Sequence, residues 1–337
     1  MGVGVRVWAD ESMRRAMPAE TERPLVSVIV CTRDRVPHLT ATLQSFRNLV
    51  IPEDISAELV VVDNGSSDGT AEYVSSIRIP NLPLRLVHEQ TAGLSHARNA
   101  AIRHSVGSVL LWTDDDVLLE PYWLVRMVRP ILAGEADATA GTVIIPPDLK
   151  ERLRGTVLER RQAWLASTED MDMAAPGRMV GANMAFGRHV LAKIPEFDVH
   201  LGAGPNSLGF YEDTLFAWQL INAGFRLVGV ADAVAHHHFA IDRLSAQSII
   251  QMAGKMGRSL AYVQWHWNQD SRRLPLLMSW RIRVSSAIKL LRATPAQAAD
   301  IRVREESKVA FYEEYRKCRA TPRKYRGEKN RLPQSGS

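Results

Sequence analysis

The chain has 337 residues, of which 46% are hydrophobic and 23% are charged, and this is an ordinary composition for a globular protein with one large or two small domains. Its two cysteines, Cys31 and Cys318, lie far apart and form no CxxC pair, which excludes a disulfide framework or a zinc site and fits a reducing compartment. The first 23 residues have no signal-peptide core, and no stretch approaches a transmembrane helix, so we expect a cytoplasmic protein.

The net charge of +5 is unevenly distributed along the chain. From Ser271 onward there are 17 Lys and Arg against 6 Asp and Glu, a net +11, which leaves −6 for the preceding part. A basic segment of this kind can contact anionic lipid, nucleic acid or an anionic acceptor. A solvated helical face followed by a disordered tail is the simpler interpretation. We expect no nucleic acid partner, and peripheral contact with the inner face of an anionic membrane is the partner that this segment suggests.

Strands and helices alternate through the first half of the chain. Apolar runs predict strands over residues 24–32, 58–63, 84–88, 108–113 and 138–145. Helices are predicted over residues 36–48, 94–103 and 121–132. Such alternation predicts a parallel, doubly wound α/β sheet.

The second half begins with a predicted amphipathic helix over residues 149–167 and a short strand over 179–186. A glycine-rich, mobile loop is expected over residues 200–209, followed by a helix that opens with Glu212 and Asp213. A strand over 225–235 leads into His236, His237 and His238. Helices are then predicted over residues 246–265 and 280–291, before a basic tail.

Three adjacent carboxylates, Asp114, Asp115 and Asp116, end the fourth predicted strand. Buried acids that adjoin one another repel and lose hydration, so they imply a cation or a ligand rich in hydrogen-bond donors. Oxygen ligands of this kind suit Mg²⁺ or Mn²⁺, which can bridge carboxylates to phosphates. The alternative is capping of the helix that Pro121 opens, but capping needs one acid rather than three.

Polar residues also follow the first two strands, as Thr32-Arg33-Asp34 and as Asp63. Carboxyl ends of parallel strands meet at one edge of the sheet, where open α/β sheets bind ligands. Neither phosphate-binding glycine pattern, G-x-G-x-x-G or G-x-x-x-x-G-K-[ST], occurs in the chain. A metal ion is therefore the expected neutraliser of a bound diphosphate.

Five segments together resemble the family 2 glycosyltransferases, an inverting class with the GT-A fold. They are residues 28–35 (VIVCTRDR), 61–70 (VVDNGSSDGT), 93–99 (GLSHARN), the three acids at 114–116 with Pro121 and Trp123, and the pair Glu212-Asp213. The resemblance covers roughly residues 24 to 244, and five motifs in the same order make it specific.

The resemblance implies a Rossmann-like GT-A fold with a mainly parallel central sheet flanked by helices and a helical C-terminal extension. Residues 1–23 are then a flexible leader, and residues 24–242 are the catalytic domain, with a nucleotide-sugar half (24–145) and an acceptor half (146–242). Residues 243–337 are the basic extension. The implied reaction moves a sugar from a nucleotide-diphosphate sugar, with a UDP-sugar as the expected donor. The acceptor is a hydroxyl on a saccharide, a lipid-linked molecule or a small molecule.

Residue roles follow from the same resemblance. The implied donor-binding residues are Thr32, Arg33, Asp34, Asp63, Asn64, Arg98, Asp114 and Asp115. Asp116, Asp114 and His237 would hold Mg²⁺ or Mn²⁺, with His238 nearly as good a candidate as His237. Asp213 would be the general base, while Glu212 would raise its pKa or hold the acceptor.

Three other classes were weighed against this interpretation. A haloacid-dehalogenase-type phosphatase also has an apolar strand and DxD, but it requires Thr or Val two residues after the second Asp, where this chain has Leu118. A non-catalytic sugar- or nucleotide-binding protein on the same fold would be expected to lack Asp213 or the three acids. A NAD-dependent enzyme is disfavoured by the missing glycine fingerprint.

Overall fold

An eight-stranded sheet flanked by helices dominates the computed structural model, which describes residues 23–271, 275 and 277–325. The predicted leader, apart from Arg23, and the last residues of the predicted basic tail lie outside the described residues. The strands are β1 Leu25–Thr32, β2 Ser56–Asp63, β3 Leu84–His88, β4 Val109–Asp114, β5 Val117–Leu119, β6 Ala138–Ile144, β7 Met184–Gly187 and β8 Leu227–His237. The helices are α1 Val36–Ser45, α2 Thr70–Ser76, α3 Leu94–His104, α4 Trp123–Leu132, α5 Pro147–Leu153, α6 Glu212–Asn222, α7 Ala246–His266, α8 Met278–Leu290 and α9 Pro295–Arg319.

The strand order in the sheet is β3-β2-β1-β4-β7-β6-β8-β5. Strands β3, β2, β1 and β4 are parallel neighbours, as are β6 and β8. Strand β7 runs antiparallel to both β4 and β6, and β5 runs antiparallel to β8. The predicted α/β sheet is confirmed. The order reverses beside β1, so the carboxyl ends of β1 and β4 flank a crevice of the kind that binds ligands in open α/β sheets.

Alternate residues of the buried strands serve the two faces of the sheet. Val28 and Val30 of β1 pack into one apolar cluster with residues of α1 and α4, whereas Ile29 packs into a second cluster with residues of α3 and α6. Because both faces are covered, these strands are apolar at almost every position, which is the pattern expected of a parallel sheet.

Two predictions for the second half of the chain were wrong in extent. The helix predicted over residues 149–167 ends at Leu153, because Gly155 adopts a left-handed conformation (φ +72°), and two short 3₁₀ turns follow. The predicted basic tail contains a 25-residue helix, α9. Thr294 and Gln297 form a capping box that starts α9.

The C-terminal helices α7 and α9 both pack on the sheet domain, since Ile249 of α7 and Val303 of α9 lie in one apolar cluster with Leu149 and Leu153. The long helices α7 and α9 lie together so closely that a Cβ on Gly257 would fall 2.1 Å from the carbonyl oxygen of Ser307. Helix α8 packs against α9. Among the described residues, no helix combines the length and the apolar character that crossing a membrane requires.

Candidate active site

A cavity of about 810 Å³ opens at the carboxyl ends of β1 and β4. Its walls come from these strand ends, the start of α3, the 3₁₀ turn at Gln162–Leu165, the loop before α6, and α7. A volume of this size is in the usual range for small-molecule and cofactor sites. The cavity therefore lies where the strand order predicts a ligand site, and α7, a helix of the predicted extension, forms part of its wall.

Two of the three acids are held by an arginine of the first loop. Arg35 donates from one guanidinium nitrogen to Asp115 (2.7 Å) and from the other to Asp116 (2.6 Å). Thr32 donates to the second oxygen of Asp115 at 2.7 Å. Burial raises the pKa of Asp115 to about 7, even though the charge of Arg35 opposes that shift. Burial also acts to raise the pKa of Asp116, but His237 and Arg35 outweigh it and hold that pKa far below its usual range.

His237 faces the remaining oxygen of Asp116. Its Nδ1 lies 2.8 Å from the carbonyl oxygen of Leu165, which can only accept a hydrogen bond, so Nδ1 carries the proton. Burial acts to lower the pKa of His237, but Asp116 outweighs burial and raises it. In the neutral ring, the form that a metal ion requires, Nε2 presents a lone pair to Asp116 Oδ1, 3.2 Å away. Oδ1 is buried and has no hydrogen-bond partner among the described residues. Two facing acceptors need a proton or a cation between them.

A metal ion fits this group better than a proton does, because a third ligand lies beside the pair. Ligand atoms of Asp114, Asp116 and His237 all lie within 4.8 Å of one another. Two carboxylates and an imidazole are suitable ligands for a divalent cation. The neighbouring histidines are not part of this group among the described residues: the His236 ring lies 3.6 Å from Glu120, and the ligand set contains neither His236 nor His238.

Arg98 and Glu212 form a buried ion pair beneath the cavity. Arg98 donates to Glu212 at 3.0 Å, lies 3.8 Å from Asp114, and stacks over the Phe197 ring at 5.4 Å. A Cβ on Gly181 would lie 1.8 Å from the guanidinium, so only glycine leaves room for it. Burial and the adjacent Asp213 raise the pKa of Glu212 to about 7, while Arg98 opposes that shift.

Asp213 takes the opposite orientation to its neighbour Glu212. Tyr211, just before α6, adopts a left-handed conformation (φ 76°) that a non-glycine residue rarely takes, and it starts the helix at Glu212. Glu212 is then buried, while Asp213 is half-buried and lines the cavity. The carboxylate of Asp213 accepts hydrogen bonds from the backbone N–H of Gly181 (2.9 Å) and of Thr214 (2.6 Å). These bonds fix its direction toward the cavity.

The glycine-rich loop over residues 200–209 contributes another wall. Leu94 donates its backbone N–H to the carbonyl of Ala203 at 2.7 Å, and the Ser95 hydroxyl donates to the carbonyl of Leu201 at 2.8 Å. Ala203, Gly204 and Pro205 line the cavity. The start of α3 thus positions this loop; its mobility stays a prediction.

Six of the eight predicted donor-binding residues line the cavity: Thr32, Arg33, Asn64, Arg98, Asp114 and Asp115. The Asn64 amide is already bonded to backbone groups of Glu89, Thr91 and Gly93. The carboxylate of Asp34 accepts from the backbone N–H of Ser67 and so joins two loops.

Asp63 is buried behind the cavity wall rather than in it. One of its oxygens accepts from the backbone N–H of Ser66, and the other lies 3.4 Å from His88 Nδ1.

Three arginines that line the cavity are absent from the residues predicted from the sequence: Arg35, Arg178 and Arg243. Arg35 is the last residue of the motif at residues 28–35, and its place in that motif is the sequence feature that could have identified it. Arg243 is half-buried, with its guanidinium 5.8 Å from the Phe239 ring centroid. Within the described part of the chain its guanidinium has no hydrogen bond or ion pair, and it faces the acid cluster closely enough to interact with Asp116. Burial lowers its pKa.

The chain has sequence relatives among glycosyltransferases. Residues 27–191 match the family model for "Glycosyl transferase family 2". The chain is 26% identical over 216 residues to Glycosyltransferase AglE of Haloferax volcanii, covering 64% of this chain and 67% of that protein. It is 32% identical over 129 residues to the Succinoglycan biosynthesis protein ExoM of Rhizobium meliloti, covering 38% of this chain and 40% of that protein.

Among solved structures, the chain is similar to the Mannosyltransferase PcManGT from Pyrobaculum calidifontis, solved in complex with GDP-Man and Mn²⁺. The TM-score is 0.56 at 20% identity, over 87% of this chain and 88% of that one. At this identity the likeness concerns the fold, and it confirms the GT-A architecture with a helical C-terminal region.

Proposed function

Since the chain belongs to glycosyl transferase family 2 and is a glycosyltransferase, we propose that it is a metal-dependent, inverting enzyme. It would move a sugar from a nucleotide-diphosphate sugar, with a UDP-sugar as the first donor to test, onto an acceptor hydroxyl of a saccharide, a lipid-linked molecule or a small molecule. The observation that carries the proposal is one cavity that joins a three-ligand acid and histidine cluster to the half-buried carboxylate of Asp213. The phosphatase and the non-catalytic binding protein are not favoured.

Asp114, Asp116 and His237 would hold Mg²⁺ or Mn²⁺, which supplies charge neutralisation for the leaving diphosphate. The solved relative PcManGT contains Mn²⁺. Arg35 spans Asp115 and Asp116 and keeps both carboxylates in place. Arg243 adds a cavity-lining cation that has no charge partner among the described residues, so its guanidinium is available to a phosphate oxygen.

Thr32, Arg33 and Asn64 lie at the strand ends where the nucleoside would bind, and Thr32 positions Asp115 for the ribose. Asp63 and Asp34 support this region from behind through their bonds to the loop after β2. Residues 24–242 would form the catalytic domain, and the start of the 243–337 extension would complete the cavity through Arg243, Met256 and Leu260.

Asp213 would take the proton of the acceptor hydroxyl. Its two backbone hydrogen bonds hold one carboxylate in a fixed direction, and no second carboxylate beside it is free to act as a nucleophile, because Glu212 is paired with Arg98. A single base without a nucleophile leads to a single displacement, which inverts the anomeric centre. Glu212 would act by holding Arg98 rather than by touching the acceptor.

The experiment compares Asp213→Asn with Glu212→Gln in a transfer assay with Mn²⁺. Asparagine keeps the shape of the side chain but only one of the two backbone hydrogen bonds, because its NH₂ group cannot accept, and it takes no proton. Turnover should therefore fall by about 10² to 10⁴ while donor affinity is kept. Glu212→Gln should cost less, because Gln keeps the hydrogen bond to Arg98.

Isothermal calorimetry with the donor and the metal supplies the control for both variants. Near-normal transfer by Asp213→Asn would remove the assigned base. A dead Glu212→Gln beside an active Asp213→Asn would reverse the two roles.

A further inference from the structure

The outward face of α8 carries a continuous apolar stripe that nothing in the described structure covers. Most of its residues are more than half exposed: Leu277 65%, Trp280 61%, Ile288 62% and Leu291 85%, with Val284 at 37%. Their spacing of three or four residues places them on one side of the helix. A tryptophan and three large aliphatic side chains in water on one short helix are an exposed patch of the kind that marks an interaction site.

The other side of α8 accounts for its contact with α9. Ser286 is the buried residue of the helix, and Ile282 and Leu290, one turn away on either side, are half-buried. These three share the face that packs on α9. The apolar stripe lies opposite that face, so packing within the chain does not explain it.

Positive charge accompanies the stripe. The sequence from residue 271 to 299 contains six Lys and Arg and no Asp or Glu. Arg281 and Lys289 line the same shallow surface groove as Trp280, Val284 and Ile288. Arg283 lies toward α9, where it pairs with Glu313 at 3.5 Å. The outward side of α8 therefore combines exposed apolar groups with cations that have no nearby acid on their own helix.

We propose that this face of α8 lies in the interface of an anionic membrane, with the helix parallel to the surface. Apolar side chains would enter the boundary between headgroups and acyl chains, Trp280 would sit at headgroup level, and Arg281, Lys289 and Arg292 would meet lipid phosphates. At 13 residues α8 is about 20 Å long and too short to span a bilayer.

Charge complementarity favours lipid over a second copy of the chain. Pairing two α8 faces would bring Arg281, Lys289 and Arg292 of both copies together, and α8 itself contains no acid to offset them. An anionic lipid surface satisfies the apolar stripe and the cations at the same time. This inference does not depend on the proposed reaction.

The test measures binding of the full chain to vesicles by co-sedimentation, with phosphatidylcholine alone and with phosphatidylglycerol mixed in. We expect binding to the mixed vesicles, weakened by salt because the attraction is screened over about 8 Å at physiological ionic strength. The double variant Trp280→Ser/Ile288→Ser should bind at least about tenfold more weakly, since it removes two apolar anchors. Arg281→Gln/Arg292→Gln should cost about fivefold per cation.

A matched control replaces two equally exposed apolar residues elsewhere, Tyr122 (55%) and Val106 (61%), with Ser. This control should bind like the wild type, and circular dichroism checks that all variants are folded. Quenching by brominated lipid should fall in Trp280→Phe while binding persists, because Trp280 is the residue at the headgroups.

Three outcomes would overturn the proposal. Equal binding to neutral and anionic vesicles would remove the role of the cations. Unchanged binding of the Trp280→Ser/Ile288→Ser variant would show that another surface contacts lipid. A dimer that this variant abolishes, together with no vesicle binding by the wild type, would assign the face to a second copy of the chain.

Discussion

The carboxylates of Asp116 and Glu212 at the cavity and the carboxylate of Asp198 are all buried, but their surroundings differ. Asp198 lies just after Phe197, where the sheet domain meets α7. One of its oxygens accepts from Tyr262, Trp267 and Tyr325, at 2.9, 2.9 and 3.1 Å. At the cavity, by contrast, Asp116 has an oxygen without a hydrogen bond, and Glu212 has one arginine as its charge partner.

The pKa values follow this difference. Burial acts to raise the pKa of Asp198, but its hydrogen bonds from His200, Trp267 and Tyr262 outweigh burial and lower it. The pKa of Glu212 is instead raised to about 7. A buried carboxylate whose oxygens accept several hydrogen bonds stabilises the folded chain. A buried carboxylate beside another acid, or with an oxygen that accepts no hydrogen bond, is suited to binding a ligand. Asp198 therefore has a structural role where the sheet domain meets α7, whereas Asp116 and Glu212 belong to the candidate active site.

The largest expected effect comes from removing a carboxylate of the cavity. Asp116→Ala removes the buried ligand oxygen, so we expect transfer to fall at least about 100-fold. Binding of Mn²⁺ at a hundredfold excess over its Kd should stabilise the wild type by about 2.7 kcal/mol, and the variant should show no such shift. Thermal unfolding with and without Mn²⁺ checks this. Full wild-type activity in excess chelator would contradict the metal assignment.

The next largest effect is expected from a substitution of Asp198, where the sheet domain meets α7. Asp198→Asn weakens three donated hydrogen bonds at once and should lower the free energy of unfolding by about 2 to 3 kcal/mol. The Mn²⁺-induced stabilisation should remain, because the cavity ligands are unchanged. Denaturant unfolding measures both quantities.

Asp232→Asn is the matched control for that variant, since the Asp232 side chain is 70% exposed. We expect it to change stability by no more than about 0.5 kcal/mol. An Asp198→Asn protein as stable as this control would mean that the hydrogen bonds to Asp198 do not stabilise the fold.

The smallest effect is a difference in pH dependence. Because the folded pKa of Glu212 is raised from 4.5 to about 7, its contribution to stability is present below its unfolded pKa and is lost as pH rises through 7. Glu212→Gln removes this loss, so its stability should fall less than that of the wild type as pH rises from about 5 to about 8.

Asp198 has the opposite sign. Its lowered pKa makes its contribution present above the ordinary carboxyl pKa of about 4, and the contribution is lost as pH falls through the lower folded pKa. The advantage of wild type over Asp198→Asn should therefore shrink only in acid. Parallel pH profiles for the two variants would contradict the distinction between the regions.

The sequence by itself determined the strand-helix alternation, the family motifs and the meeting of Asp114, Asp116 and Asp213 near one edge of the sheet. Buried parallel strands appear in the sequence as apolar runs, and polar residues follow these runs at the carboxyl ends of the strands. These features can therefore be predicted from the sequence. It also favoured His237, and the alternation of β8, paired with β5, turns that histidine and not its neighbours toward the acids.

Only the tertiary structure decided which charges meet. Arg35 reaches acids 80 positions away, Leu165 fixes the tautomer of His237 from a 3₁₀ turn, and Asp198 collects its donors from the C-terminal region. Arg98 lines the cavity, and its partner Glu212 lies 114 positions along the chain. Such partners are set by the packing of distant elements rather than by local periodicity, so no pattern in the sequence specifies them.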